Sequence, residues 1–201
     1  MNDESKLIEE FDTFADCYDE VITEHLGYCA HTIIPTMMSQ YITNKTPEIL
    51  DLGCGTGISS SLFFEKGYNV AGIDLSFGMI EQARLRPFKR LYCQSLELPL
   101  HLKENEFDAV VMLGVLEFIN NTAQLLSRIY TVLKPDGVLG VTFPMNIPTI
   151  DTELIVKAYS EQEIQTLIKN AGFTILKSES FLGYDSSEYT IDYTGYVLAK
   201  A

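Results

Sequence analysis

From residue 47 onward the chain alternates short aliphatic or β-branched runs with longer stretches of helical periodicity, the rhythm of a parallel sheet with helices on its faces. Strands are expected over Glu48–Leu52, Asn69–Ile73, Arg90–Cys93, Phe107–Leu113 and Val138–Phe143. The helices between them have marked ends. One, about Ile58–Lys66, stops at Gly67; another begins near Asn121 and stops before Lys134-Pro-Asp-Gly137, a turn by composition. Ser160-Glu-Gln-Glu163 fits a capping box, after which Ile164, Leu167, Ile168 and Ala171 line one helical face until Gly172. Two further strands, Thr174–Phe181 and Tyr189–Ala199, follow with no helix between them and are expected to pair antiparallel at one edge of the sheet. Ahead of the first strand, Phe11, Phe14, Ala15 and Tyr18 recur at i, i+3, i+4 and i+7, so an amphipathic helix must dock there.

The chain has 201 residues, 46% of them hydrophobic, enough for one domain with a substantial core. We expect a single domain over residues 1–201, with N-terminal helices over 1–46 and an α/β core over 47–201. Met1-Asn-Asp-Glu4 lacks the basic and apolar regions of a secretory signal, and the longest apolar runs are strand-sized, so a cytoplasmic protein without membrane contact is expected. Cys17, Cys29, Cys54 and Cys93 have neither disulfide-framework nor zinc spacing, and Cys29-x-His31 supplies only two ligands, so no metal is expected. A net charge of −14 repels a phosphate backbone, and the one basic cluster, Arg84 to Arg90, closes a helix; nucleic acid is not an expected partner.

The informative stretch is Glu48-Ile-Leu-Asp51-Leu-Gly53-Cys-Gly55-Thr-Gly57-Ile58. A buried strand runs into three alternating glycines and then a helix, which lets a ligand approach backbone where a Cβ would collide. Asp74 closes the next strand about 20 residues on, where a carboxylate accepts hydrogen bonds from ribose hydroxyls. A dinucleotide fingerprint needs a Gly or Ala at position 58, so that a pyrophosphate can sit on the helix start. Ile58 stands there instead, which favours a nucleoside ligand without phosphate.

Asp51-Leu-Gly-Cys-Gly-Thr-Gly57 resembles the first motif of the class I S-adenosylmethionine-dependent methyltransferases. Asp74-Leu-Ser76 is similar to their second motif, Cys93-Gln-Ser-Leu-Glu-Leu-Pro99 to a segment usually reading Asp-Ala-Glu-x-Leu-Pro, Phe107–Leu113 to their fourth strand, and Leu133-Lys-Pro-Asp-Gly137 to the turn before their fifth. Phe14-Ala-x-x-Tyr18-Asp19 is similar to the lid helix of the ubiquinone/menaquinone-type small methyltransferases. The resemblance implies a Rossmann-like, doubly wound α/β fold: a seven-stranded, mostly parallel sheet with an antiparallel edge strand. It also implies S-adenosyl-L-methionine as cofactor and S-adenosyl-L-homocysteine as product.

Carried over by residue, it sets Gly53 and Gly55 against the cofactor and gives Asp51 the shaping of the loop. Asp74 takes the ribose, Leu75 and Met79 flank adenine, Gln94, Ser95 and Leu96 border its edge, Leu113 closes the methionine side, and Tyr18 reaches over from the lid. Gln94 departs from the family, which usually has Asp there to accept from the adenine amino group.

Methyl transfer from a sulfonium is a direct displacement with a neutral leaving group, so alignment supplies most of the catalysis. A base is required only for poorly nucleophilic acceptors. No catalytic residue is assigned, and His25, His31 and His101 have no motif around them. Leu113-Gly-Val-Leu-Glu-Phe118 lacks the Asn/Asp-Pro-Pro-Tyr/Phe signature of enzymes that methylate amide or adenine nitrogens. The expected acceptor is therefore a small molecule, aromatic or amphiphilic, met by the N-terminal segment, the loop Pro144–Tyr159 and the aromatic stretch Phe181–Tyr193, in a monomer or homodimer. The alternatives are an NAD-dependent oxidoreductase, disfavoured by Ile58, and a non-catalytic adenosylmethionine-binding protein.

Overall fold

The structure is a computed structural model and describes residues 4–146, 156–185 and 190–200. Seven strands form one sheet in the order β3-β2-β1-β4-β5-β7-β6: β1 (Glu48–Leu52), β2 (Asn69–Asp74), β3 (Arg90–Cys93), β4 (Phe107–Met112), β5 (Leu133–Pro144), β6 (Phe173–Asp185) and β7 (Thr190–Lys200). The five N-terminal strands run parallel, and β7 runs antiparallel to both β5 and β6. This is the Rossmann-like sheet expected from the sequence, with the one reversed strand set one place in from the β6 edge. The first predicted residue of the last strand, Tyr189, lies outside the described residues.

The strands read as continuous apolar runs because both faces are covered. Leu50, Leu52, Ala71, Ile73, Val110, Met112, Leu139 and Val141 face α6 (Thr122–Val132) and α7 (Glu161–Asn170), through Leu125, Leu126, Ile129, Ile164 and Ile168. The alternate positions Ile49, Val70, Ala109, Val111, Val138 and Val197 face α3 (Ala30–Met38) and α4 (Ser61–Glu65), through Ile34, Met37, Met38 and Phe63. α5 (Phe77–Ala83) follows β2 and packs beside β3.

Cap chemistry sets the helix ends as the sequence implied. Ser160 accepts from the Glu163 backbone N–H while Glu163 accepts from that of Ser160 at 2.8 Å, and Asn121 caps α6 by accepting from the Gln124 N–H at 3.1 Å. Two expectations change. The Lys134–Gly137 segment is no free turn: Phe107 pairs with Leu133 and Ala109 with Val138, so the four residues between bulge out within β5, with Asp136 at φ +63. The N-terminal helix is not continuous either. α1 (Glu4–Phe14) passes directly into a 3-10 turn at Ala15–Cys17, followed by α2 (Tyr18–Glu20) and a π turn at Val21–His25.

Gly140 sets how closely α3 lies on the sheet, since a Cβ there would stand 2.1 Å from Met38 Sδ and 2.9 Å from Ile34 Cγ2. Gly140→Val is expected to force α3 outward and to cost about 1–3 kcal/mol, as overpacked cores do. A urea midpoint that falls with unchanged slope is the corresponding readout.

Candidate functional site

The C-terminal ends of β1, β2 and β4 open onto a cleft of about 800 Å³ between the sheet and the N-terminal helix. Crevices at the carboxyl ends of the strands are where open α/β sheets bind ligands. Of the residues singled out from the sequence, Tyr18, Gly53, Gly55, Asp74, Leu75, Met79, Leu96 and Leu113 line this cleft together.

The three loop glycines answer three different constraints. All sit at positive φ: +66 at Gly53, +51 at Gly55 and +93 at Gly57. A Cβ on Gly53 would strike Val115 Cγ2 at 2.3 Å, and one on Gly57 would strike Phe88 at 2.6 Å, so those two glycines serve packing. A Cβ on Gly55 would meet only Tyr18 and Met79, at 3.9 and 4.0 Å, and so projects into the cleft. Asp74 holds this loop: its carboxylate accepts from the Gly55 N–H at 2.7 Å and from the Ser76 N–H at 2.9 Å. Burial raises its pKa, against the lowering pull of those backbone donors.

Three predicted residues stand off the cleft lining. Asp51 is fully buried on the α3/α4 face, where Oδ2 accepts from Ser59 Oγ at 2.7 Å and Ser60 Oγ at 2.6 Å and Oδ1 has no partner. Burial pushes its pKa up to about 6, with both serines pulling the other way. Its contacts fit a loop-shaping part. Gln94 donates its side-chain amide to the Pro99 carbonyl at 2.9 Å, which closes the 94–99 turn. The Ser95 hydroxyl donates to Glu4 on the N-terminal helix.

That helix supplies lining residues that sequence reasoning did not place in the site: Glu4, Leu7, Ile8 and Phe11. The opposite wall adds Val115, Phe118, Ile119 and Asn120. Phe11 meets Phe118 edge-on at 5.7 Å, and the ring series Phe11, Phe14, Tyr18 continues at 5.8 and 5.3 Å. A periodic apolar stripe in the sequence showed that the helix docks, but not against which wall. The helix is fastened by its carboxylates. Glu4 accepts from Ser95, Asp12 from the Ser76 hydroxyl and, at 2.8 Å, from the Gly78 N–H, and Asp16 from Gln82. Asp19 bridges Thr56 of the glycine loop and Arg86.

Glu117 was not foreseen. It is 5% exposed, accepts a hydrogen bond from Tyr193 Oη on one oxygen, and leaves Oε2 without a partner. Burial pushes its pKa up to about 7. The only sequence signal is a lone charge inside the apolar run Leu113–Ile119. Among the described residues no group of three His, Cys, Asp or Glu side chains is arranged to hold a metal ion. None of their helices is long and apolar enough to cross a membrane.

Residues 50–141 match the family model described as a methyltransferase domain. A putative methyltransferase of Bacillus subtilis is 35% identical over 63% of this chain and 52% of its own length. A ubiquinone biosynthesis O-methyltransferase of Hydrogenovibrio crunogenus is 35% identical over 49% of this chain and 42% of its own length. The Burkholderia thailandensis 1,6-didemethyltoxoflavin-N1-methyltransferase, solved with its substrate and S-adenosylhomocysteine, superposes with a TM-score of 0.75 at 18% identity, covering 97% of this chain and 87% of that one. The chain spans roughly half the length of the curated relatives it matches, 58%, 52% and 52% for three of them.

Two outcomes are expected from this geometry. Asp12→Ala removes the acceptor of Ser76 and Gly78, one part-buried and one exposed bond worth about 0.5–1.5 kcal/mol each. Limited proteolysis within residues 4–25 should speed up several-fold while the melting temperature barely falls, because cleavage follows the population of locally open states. The second concerns pH. Asp51 and Glu117 have folded pKa values raised from 3.8 and 4.5 to about 6 and about 7, so between those limits the folded state holds more protons than the unfolded one. The contribution of these two groups to the stability of the unliganded protein therefore falls as pH rises from about 4 to about 7 and levels off above, opposite in sign to that of Glu106, Asp108 and Glu163, whose pKa values are lowered. Glu117→Gln should shallow that fall and stabilise the protein at pH 8 by roughly 1–3 kcal/mol, as a tenfold change in proton affinity is worth about 1.4 kcal/mol.

Proposed function

We propose that this chain, a relative of the class I S-adenosylmethionine-dependent methyltransferases, transfers a methyl group from S-adenosylmethionine to a small-molecule acceptor by direct displacement. The observation that carries the reading is the placement of Asp74 at the end of β2, its carboxylate pinning Gly55 while both line one cleft. Each carboxylate oxygen accepts one backbone N–H and retains lone-pair capacity for the hydroxyls of a ribose. Leu75, Met79 and Leu96 offer an apolar slot beside it, suited to the faces of a purine. Gly53, Gly55 and Leu113 then border the amino-acid end, and Tyr18 covers the ligand from the lid. The bound cofactor supplies a methyl group on a positively charged sulfur, which leaves as a neutral thioether.

What the chain's own residues contribute is alignment and exclusion of water. Among the described residues the cleft lining holds Glu4, Asp74 and Glu97 and no Lys, Arg or His, an electrostatic setting that favours a cationic ligand over a pyrophosphate. The alternative with NAD would put phosphates beside those carboxylates. It would also seat them at Ile58–Ser60, a single 3-10 turn that leads into the five-residue α4, where the branched Ile58 side chain stands in place of the small residue a pyrophosphate requires. Gln94 spends one side-chain N–H on the Pro99 carbonyl, which shapes the 94–99 turn, and its side-chain oxygen retains the capacity to accept from an adenine amino group.

A thermal-shift comparison of adenosylmethionine, adenosylhomocysteine and NAD tests the reading. Stabilisation by the first two and none by NAD is expected, because a ligand that binds only the folded state raises the melting temperature by mass action. Stabilisation by NAD alone would overturn it. Turnover of methyl-labelled cofactor with an acceptor separates the enzyme from a non-catalytic binder. Asp74→Ala should weaken adenosylhomocysteine binding by about 10- to 100-fold, a charge-assisted hydrogen bond being worth roughly 1.5–3 kcal/mol. It should also lower stability, since Gly55 and Ser76 N–H lose their acceptor, so calorimetry belongs at a temperature where the variant is folded. An unchanged dissociation constant removes Asp74 from the site.

A further inference from the structure

At the Gly114 wall of the cleft lies a buried polar cluster that alignment of the cofactor leaves unused. Gly114 lines the cleft at φ +66, and a Cβ built on it would stand 3.4 Å from Tyr28 Oη, 3.8 Å from Glu117 Oε1 and 3.9 Å from Tyr184 Oη. A carboxylate and two phenols thus converge on a point beside the cleft. Tyr193 donates to Glu117 from β7, while Glu117 Oε2 has no partner. The rings of Tyr28 and Tyr184 stack at 4.9 Å, Tyr184 and Tyr193 lie 6.1 Å apart, and Tyr18, itself on the cleft wall, packs against this cluster.

A buried carboxylate is costly unless paired with a cation or protonated. The titratable groups that face this one are Tyr193 on β7, Tyr28 ahead of α3, Tyr184 on β6, Tyr18 of the N-terminal segment and Tyr159 ahead of α7. All are phenols; His31 stacks on Tyr28 at 5.7 Å, and Lys157, whose backbone N–H donates to the Glu117 carbonyl, places its ammonium over the Tyr159 ring at 4.5 Å. Among the described residues no Lys or Arg pairs with Glu117. A carboxylate that lacks a counter-ion and has phenol oxygens beside it is the complement of an ammonium group, which is held by the charge and by hydrogen bonds donated to those oxygens. The acidic lining of the cleft and the net charge of −14 draw the same kind of ligand.

We propose that Glu117, with Tyr28, Tyr184 and Tyr193, is the acceptor subsite of this cleft and that the acceptor is an amine, bound as its ammonium ion. The inference rests on the methyl-transfer reading above. Glu117 takes one proton from the ammonium, which leaves a neutral amine with a free electron pair. That pair forms the N–C bond to the methyl group as the C–S bond breaks, and the bonding electrons pass to sulfur. The product is a methylated ammonium ion and neutral adenosylhomocysteine, and the proton on Glu117 returns to solvent. A carboxyl whose proton affinity lies near neutrality suits that exchange.

The test uses matched probes with the enzyme saturated in adenosylhomocysteine: benzylamine against benzyl alcohol, and phenethylamine against 2-phenylethanol, by calorimetry at pH 8. In the wild type at least one amine should bind about tenfold or more tighter than its alcohol, and Glu117→Gln should erase that preference. The same substitution should leave adenosylhomocysteine affinity within about threefold, and methyl transfer to the amine should rise with pH through about 7 in the wild type only. Equal binding of amines and alcohols, no binding by either pair, or an amine preference that survives Glu117→Gln overturns the proposal. The wild-type comparison stands even if the variant folds poorly. Failure of adenosylhomocysteine itself to bind overturns the methyltransferase reading instead, so the two failures are distinguishable.

Discussion

The hydrogen bond from the Gly55 N–H to the Asp74 carboxylate ties the end of β1 to the end of β2, and the cleft depends on it. The loop between β1 and α4 has three residues in the left-handed region, a conformation with little intrinsic preference for any one path. Three constraints select one. Val115 and Phe88 close off the space at Gly53 and Gly57, and Asp74 takes the N–H between them. On the far side Asp51 accepts from Ser59 and Ser60, anchoring the turn that follows. Two carboxylates, one on each side, thereby fix a loop that carries no regular secondary structure of its own, and the one open edge of that loop, at Gly55, is where a ligand can lie against backbone.

The sheet was legible because its strands are buried on both faces. Ile49 and Leu50, or Val110 and Val111, face opposite layers yet are equally apolar, so each strand reads as a short run bounded by turn residues. The glycine loop and Asp74 were legible because their spacing follows from the length of one βαβ unit. What escaped depends on partners distant in sequence. The Lys134–Gly137 bulge has the composition of a turn, and only pairing of Ala109 with Val138 shows that the strand resumes after it. The break after Phe14 has no Pro or Gly to announce it. The contacts that Gln94 and Ser95 make, with the Pro99 carbonyl and the Glu4 carboxylate, are ones that no local pattern encodes. Glu117 needs Tyr28 and Tyr193, which lie 89 and 76 positions away.

The N-terminal helical segment buries little of its apolar face: Leu7 and Ala15 are covered, while Ile8, Phe11, Phe14 and Tyr18 remain half-exposed, three of them, Ile8, Phe11 and Tyr18, along the cleft. So small a buried area makes the hydrophobic contribution to its docking modest. The carboxylates of Glu4, Asp12, Asp16 and Asp19 add directional bonds to Ser95, Ser76, Gln82 and Thr56, and among the described residues only Asp19 of these four is paired with a cation, Arg86. Three of these bonds are part-buried and that of Asp16 is exposed, and each is individually modest. Two of the anchored residues, Ser76 and Thr56, flank the Asp74–Gly55 bond, so docking of the N-terminal segment and ordering of the glycine loop share the same neighbourhood. A ligand against Gly55 and Tyr18 would touch both at once, and the half-exposed rings of Phe11 and Tyr18 along the cleft are the surface it would cover.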